Sequence, residues 1–215
     1  MKGLLVKDFH LLMQRKNFFV LLAVLTVFMS FTMEGTLFAV GWVTMLMGIV
    51  SFSTIAYDEY DNCLPFLMSL PATRRDYAAG KYLFSMICGF AGWIFAAVVK
   101  LIISLMQSEF GASIKELSTA LVFLPLLLIL LSCCIPVELK WGAEKGRMYL
   151  LVIYGVFFAL LAAGIRFLPE APALVEKMAS GLSFPMAVCL IFILAVLIFA
   201  VSLSLSVRIM QKKEF

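Results

Sequence analysis

Residues 57–81 read YDEYDNCLPFLMSLPATRRDYAAGK and lie between two long apolar runs. The stretch has three acidic residues among its first five, continues with a short apolar segment bounded by prolines, and then carries a basic pair. Of the 215 residues of the whole chain, 64% are apolar and only 14% are charged, against about 25% charged in soluble domains. The composition therefore indicates an integral membrane protein. An apolar segment inside a charged, water-side loop of such a protein favours docking of a soluble partner.

Six apolar runs are long enough, or nearly long enough, to cross a bilayer. A helix rises about 1.5 Å per residue and the hydrocarbon core is about 30 Å thick, so roughly 20 residues are needed. The predicted spans are 18–33, 36–56, 82–105, 117–137, 148–165 and 184–207. Because these runs are continuous rather than alternating, they favour helices over strands. The sequence predicts a single all-α integral membrane domain that comprises residues 1–215.

Basic residues are strongly biased to one side of the predicted spans. That side holds 13 of the 17 lysines and arginines, whereas only Lys115, Arg166 and Lys177 lie in the opposite loops. The positive-inside rule therefore predicts that both termini are cytoplasmic. The first 17 residues are too charged for the apolar core of a signal peptide, so the first span is expected to be a retained anchor.

Residues 1–17 have the pattern of an amphipathic helix in the headgroup region. One helical face would carry Leu5, Val6, Phe9, Leu12 and Met13, and the other would carry Lys7, His10 and Gln14. The alternative is a plain extension of the first span into water.

The apolar part of the opening stretch predicts a short helix over residues 64–70. Pro65 suits the first turn of a helix, where its missing N–H has no partner in any case. Pro71 marks the end, because the residue before a proline avoids helical geometry. One apolar face of this helix would be shared by Leu64, Leu67 and Met68. This face either docks a partner or lies in the headgroups as a self-contained interfacial turn.

Two further signals lie on the same side of the membrane. Thr73-Arg74-Arg75-Asp76 fits a capping box, in which Thr73 is the N-cap and Asp76 reaches back, so it predicts the start of the next helix. Residues 138–147 predict a compact charged turn that contains two glycines and the interfacial Trp141. A plain basic loop is the alternative for this second segment.

The sequence offers no set of residues for catalysis or for a metal site. His10 is the only histidine, so no HExxH or other histidine-based metal site can form, and no GxSxG occurs. A phosphate-binding GxxxxGKS/T loop is also missing, so a partner must supply any energy from ATP. The five cysteines include no CxxC and are expected to be small apolar fillers.

Two motifs on the basic side bear a likeness to a known family. The first combines Tyr57-Asp58-Glu59, Ser69-Leu70-Pro71, Arg74 and Lys81-Tyr82, and the second is GAEKGR at residues 142–147. Together with the basic, amphipathic N-terminus, they resemble the small six-span permeases of ABC-2-type exporters. The layout is similar over essentially the whole chain, whereas the sharper motif covers only residues 57–82.

The resemblance implies six transmembrane helices, an N-terminal elbow helix, a cytoplasmic coupling helix over residues 64–70 and a short outer helical segment between spans five and six. The coupling helix would seat in a groove of a separate ATP-binding subunit. That subunit would bind ATP and Mg, so no cofactor is expected in this chain. The docking residues would be Asp61, Leu64, Phe66, Leu67, Met68, Ser69, Leu70, Pro71 and Arg74, with Glu144, Lys145 and Arg147 as inner-loop contacts.

The resemblance also implies a cellular location, a second permease as partner and a cargo. Such permeases work in pairs in the bacterial cell membrane, so a second copy or a sister chain is expected, and nucleic acid is not. Similar permeases export amphipathic bacterial peptides, including phenol-soluble modulins and bacteriocin-like toxins. An amphipathic or hydrophobic peptide is therefore the expected cargo.

Lys100 is the one charged residue inside a predicted span. Charge at bilayer depth is costly and often marks a transport path. We therefore hypothesise that Lys100 faces the interior of a dimer and meets the cargo. The alternative is that Lys100, which is nearer the outer end of its span, extends its ammonium to the interface.

Two other functions compete with the exporter. The substrate-binding membrane subunit of a vitamin importer can also have about six spans, but the basic N-terminus and the long loop after the second span favour the exporter. An intramembrane enzyme is disfavoured by the missing catalytic residues.

Overall fold

The computed structural model describes residues 2–32, 36–60, 63–69, 73–106, 116–167 and 183–213. These residues are helical apart from short turns and caps, and no strand occurs among them. This confirms the all-α prediction. The main helices are α1 (Lys2–Met13), α2 (Lys16–Thr32), α3 (Thr36–Tyr60), α4 (Cys63–Ser69), α5 (Arg74–Met106), α6 (Phe123–Phe167) and α7 (Phe184–Lys212).

Several of these helices are long and apolar enough to cross a membrane. Within the described ranges the candidate spans are Leu37–Glu59, Arg74–Met106, Glu116–Gly142 and Pro185–Lys212. The pair Gly3–Met13 and Lys16–Phe31 adds a fifth if it is one span bent by 69°. Because of this bend, α1 does not continue the axis of α2, contrary to a plain extension of the first span. The protein is therefore multi-pass, and the count of six stays a prediction.

A sharp turn divides α6 into two arms at Gly142, which has φ 80° and ψ 171°. Sγ of Cys134 on the first arm lies 3.5 Å from the hydroxyl of Tyr154 on the second. Gly146 packs so closely that a Cβ there would lie 3.3 Å from Cα of Glu138. The two arms therefore run antiparallel. The compact turn predicted over residues 138–147 is confirmed, and the second arm contains the predicted fifth span, 148–165.

The largest core cluster lies where α3, α4, α5, α6 and α7 meet, and its buried members include Leu64, Tyr82, Leu131, Leu150 and Met210. The cluster lies towards the end of the bundle that carries Lys7, Arg74, Lys81 and Lys213. We call this end the basic end. Elsewhere the helices leave large apolar side chains exposed, above all on α7. Such an extended apolar surface suits lipid rather than water.

The orientation of α1 differs from the prediction. Leu12 is buried and Leu5 is half-buried, whereas Val6, Phe9 and Met13 are exposed. The five residues expected on one apolar face are thus divided between an inward and an outward side. The inward side faces α3 and α5.

Some predicted features lie outside the described residues. One of them is the short outer helical segment predicted between spans five and six. Of the predicted docking residues, Asp61, Leu70 and Pro71 also lie outside.

Candidate functional site

The helix predicted over residues 64–70 is present as α4, Cys63–Ser69, at the basic end. Leu64 and Leu67 are buried in the main core cluster. Pro65 and Phe66 point the other way, and Phe66 is 66% exposed. Leu64 and Leu67 therefore anchor α4 to its own chain, and their role in docking stays a prediction. What α4 presents outward is the side that carries Phe66.

The start of α5 is fixed by the predicted capping box, which is confirmed. The amide of Asp76 donates to Oγ1 of Thr73 at 3.1 Å, and the amide of Thr73 donates to Oδ2 of Asp76 at 3.4 Å. The Thr73 hydroxyl also donates to the same carboxylate at 2.8 Å. These bonds satisfy two amides that the first turn of a helix leaves without partners. They set the position at which the chain enters α5 after α4.

A buried charge cluster ties together the helices on both sides of α4. Lys81 on α5 donates to Oδ1 of Asp8 on α1 at 2.8 Å and pairs with Oδ2 of Asp58 on α3 at 2.8 Å. It also donates to Oγ1 of Thr54 at 3.0 Å. The three charged side chains are only 2% to 4% exposed. Buried charges need such close partners, because isolated ones are too costly to desolvate.

Lys7 and Tyr77 complete the cluster. Lys7 donates to Oδ1 of Asp58 and lies 3.4 Å from Asp8, and the Tyr77 hydroxyl donates to Oδ2 of Asp58 at 2.9 Å. Two carboxylates thus face two ammonium groups, and their formal charges cancel. No group of residues that could hold a metal ion occurs in the described part of the chain. The cluster is suited to fixing α1, α3 and α5 relative to one another.

Sequence reasoning missed the part played by Asp8. Its partner Lys81 lies 73 residues away, and no local pattern reveals a contact of that range. A usable signal was nevertheless present, because Asp8 lies four residues from both Leu4 and Leu12 and so shares their inward face. A single acid on an apolar face predicts a buried cationic partner.

Arg74 holds the end of α7. Its guanidinium donates to three backbone carbonyls, at 3.3, 2.8 and 2.9 Å, of Met210, Gln211 and Lys213. A cation at a helix C-terminus satisfies carbonyls that have no helical partner and interacts well with the helix dipole. Arg74 was predicted to dock a partner, and the structure gives it this role within the chain.

The turn at Gly142 meets the ends of α3 and α7. Lys213 donates to Oε1 of Glu59 at 2.8 Å and to the carbonyl of Leu139 at 3.1 Å. Gly142 has a positive φ, which favours glycine, and a Cβ there would lie 2.7 Å from Oε2 at the end of the Glu59 side chain. The predicted inner-loop contacts, Glu144, Lys145 and Arg147, line a cavity of about 430 Å³ beside Glu59. The structure therefore brings them to the same end of the bundle as α4.

Lys100 lies away from this site. It is 8% exposed, and its ammonium donates to the carbonyl of Ser30 in the last turn of α2 at 3.4 Å. A cation at that place interacts favourably with the dipole of α2. Lys100 therefore joins α5 to α2 within one chain, and its predicted role in a cargo path stays a prediction.

Comparison with known proteins identifies the family. No curated protein and no solved structure matches the chain significantly. A family model described as ABC-2 family transporter protein matches residues 3–211, which include the helices described above except for the first residue of α1 and the last residue of α7. The match confirms the family suggested by the motif at residues 57–82. The chain belongs to the ABC-2 family of transporter proteins and is a membrane permease subunit, not itself catalytic.

Proposed function

We propose that the protein is the permease of an ATP-driven exporter and that α4 is the coupling helix for a separate ATP-binding subunit. The proposal rests on the position of α4, which is packed against the core on one side and exposed on the other. Leu64 and Leu67 fix it to the core, while Phe66 is left 66% exposed at the basic end. An exposed aromatic side chain on a short, anchored helix is suited to insertion into a partner's groove.

The surroundings of α4 support a role in transmitting force. The preceding helix, α3, is tied to α5 by Asp58 and Lys81, and the start of α5 is capped by Thr73. A force on α4 therefore acts on helices that are held together by an ion pair and a helix cap. Motion of an ATP-binding subunit would be passed to the spans rather than absorbed by a loose loop.

The proposed orientation puts this end of the bundle in the cytoplasm. The positive-inside rule supports it, because 13 of 17 basic residues lie on that side. Cytoplasmic ATP is available there, and the sequence has no phosphate-binding loop of its own. The ATP-binding subunit would supply the hydrolysis, with its ATP and Mg.

The transport path is proposed to form between two permeases, which are two copies of this chain or this chain and a sister chain. The large exposed apolar surface of α7 leaves room for contact with lipid and with a second permease. The family resemblance favours outward transport of an amphipathic or hydrophobic peptide across the bacterial cell membrane.

The docking proposal is tested by Phe66→Asp in a strain that also expresses the proposed ATP-binding subunit. Truncation of an interface aromatic typically costs about 2 kcal/mol, so affinity should fall about 30-fold. Co-purification and ATP hydrolysis by the complex should both be lost. Because Phe66 is largely exposed, insertion and yield of the permease should not change.

Two control variants make the result specific. Phe66→Leu keeps an apolar side chain and should retain most of the binding, and Lys140→Asp changes an exposed charge on the first arm of α6 without touching α4. Wild-type recovery of the ATP-binding subunit with Phe66→Asp would show that α4 is not the docking helix.

A further inference from the structure

A cavity of about 460 Å³ lies between α3 and the two arms of α6. Its walls are largely apolar and include Phe52, Leu130 and Leu150. At its edge Leu151 is 74% exposed and Ile49 is 41% exposed, on the apolar outer surface of the bundle. The volume lies in the range of about 300–1,000 Å³ that is typical of small-molecule sites. The cavity therefore opens sideways, towards the bilayer.

Glu138 lines this cavity near the Gly142 turn. The residue is 1% exposed, yet its Oε2 has no hydrogen-bond partner in the part of the chain that the structure describes. Buried polar atoms are nearly always hydrogen-bonded, and a carboxyl oxygen is a strong acceptor. A molecule that places a hydrogen-bond donor in the cavity would satisfy it.

Arg147 lines the same cavity from the other arm of α6, and its side chain is exposed. Glu138 and Arg147 form no ion pair with each other among the described residues. The cavity thus offers a buried carboxyl oxygen that lacks a hydrogen-bond partner among the described residues and an exposed positive group. This arrangement matches a molecule that carries both a hydrogen-bond donor and a negative group.

We propose that this cavity binds a phospholipid with a phosphoethanolamine headgroup. The ammonium of the lipid would donate to Glu138, the phosphate would accept from Arg147, and an acyl chain would leave past Leu151 along the apolar surface. Both headgroup contacts are charge-assisted hydrogen bonds, which are stronger than neutral ones. The site does not depend on the proposed exporter function.

The chemistry of the two groups predicts selectivity among lipids. Choline has no N–H to donate to Glu138, so phosphatidylcholine should bind more weakly. Phosphatidylglycerol can contact Arg147, but it offers Glu138 only neutral hydroxyl donors, which form weaker hydrogen bonds than an ammonium does. A soluble headgroup lacks the apolar chain that the opening at Leu151 accommodates.

The test is native mass spectrometry of the purified full-length protein in detergent, titrated separately with phosphatidylethanolamine, phosphatidylcholine and phosphatidylglycerol. Phosphatidylethanolamine should bind at least tenfold more tightly than the other two. Glu138→Gln and Arg147→Gln should each weaken its binding about tenfold and reduce the selectivity. Glu144→Gln, on the same turn but outside this cavity, should bind as the wild type does.

Several outcomes would overturn the proposal. Equal binding of the three lipids would refute headgroup recognition, as would an unchanged preference in both variants. Competition by soluble phosphoethanolamine at the same concentration as the lipid would show that the ligand comes from water. Arg147 is exposed, so Arg147→Gln should fold normally and remains informative even if Glu138→Gln is unstable.

Discussion

Replacement of Lys81 by methionine tests whether the buried charge cluster holds α1, α3 and α5 together. The ammonium of Lys81 lies 2.8 Å from oxygens of both Asp8 and Asp58. Methionine has a similar length but no charge, so the packing volume changes little. The substitution leaves two buried carboxylates that face the single remaining cation of Lys7.

The expected loss can be worked from the partners that remain. Removal of one member of a buried ion pair typically costs about 3–5 kcal/mol, and a 2% exposed site has little solvent to screen it. Among the described residues, Asp58 keeps Lys7 and the hydroxyl of Tyr77, whereas Asp8 keeps only Lys7 at 3.4 Å. We therefore expect a loss near the lower limit, about 3 kcal/mol, most of which comes from Asp8.

The measurement is equilibrium unfolding in mixed detergent micelles, followed by the fluorescence of the three tryptophans. In the Lys81→Met background, Asp8→Asn should restore about 1–2 kcal/mol, because it removes the charge that has lost its partner. A double-mutant cycle gives the coupling between the two residues. Lys212→Met, which removes an exposed lysine, should change stability by less than about 0.5 kcal/mol.

The reasoning is refuted if Lys81→Met costs no more than the Lys212 control. It is also refuted if Asp8→Asn lowers the stability of the Lys81→Met protein further, since the carboxylate would then have a favourable partner other than Lys81.

The remaining predictions concern the start of α5 and the turn at Gly142. Thr73→Ala removes the N-cap of α5 and should lower the unfolding free energy by about 1 kcal/mol; an unchanged value in the same unfolding assay would show that the cap is not needed in the membrane. Gly142→Ala should cost about 1–3 kcal/mol, because alanine is strained at φ 80° and ψ 171°, a backbone region that almost only glycine adopts. Gly155→Ala is its control, as a Cβ there meets nothing within 4 Å and alanine favours helix; equal losses in both variants would contradict the backbone strain at Gly142.

Features that depend on neighbouring residues were predictable from the sequence. The capping box depends on four consecutive residues, and both of its reciprocal hydrogen bonds are present between Thr73 and Asp76. The short helix α4 follows in the same way from the positions of the two prolines. The turn at residues 138–147 was also predictable, because its glycines allow close approach, although the sequence does not tell which of them takes a positive φ.

The sequence did not predict which apolar side of a helix packs against the core of its own chain. Leu64 and Leu67 have the same spacing whether they pack against their own core or against another subunit, so periodicity shows an apolar face but not its neighbour. The same limit applies to α1, where both sides carry apolar residues and only the buried Asp8 marks the inward one. Lipid adds to this difficulty, because an apolar side chain of a membrane protein can face the lipid as favourably as it packs in the protein interior.

The packing of α4 bears directly on how a coupling helix could work in this chain. Leu64 and Leu67 share one core cluster with Tyr82 of α5 and Met210 of α7. Interiors of this kind are closely packed, so α4 cannot shift far without displacing both neighbours. The hydroxyl of Tyr82 also lies 2.6 Å from Oγ of Ser202 on α7, so a hydrogen bond joins α5 and α7 in addition to the apolar packing. A displacement of α4 would therefore be carried by α5 and α7 together, which makes coordinated movement of helices, rather than local bending of a loop, the simpler route from docking to transport.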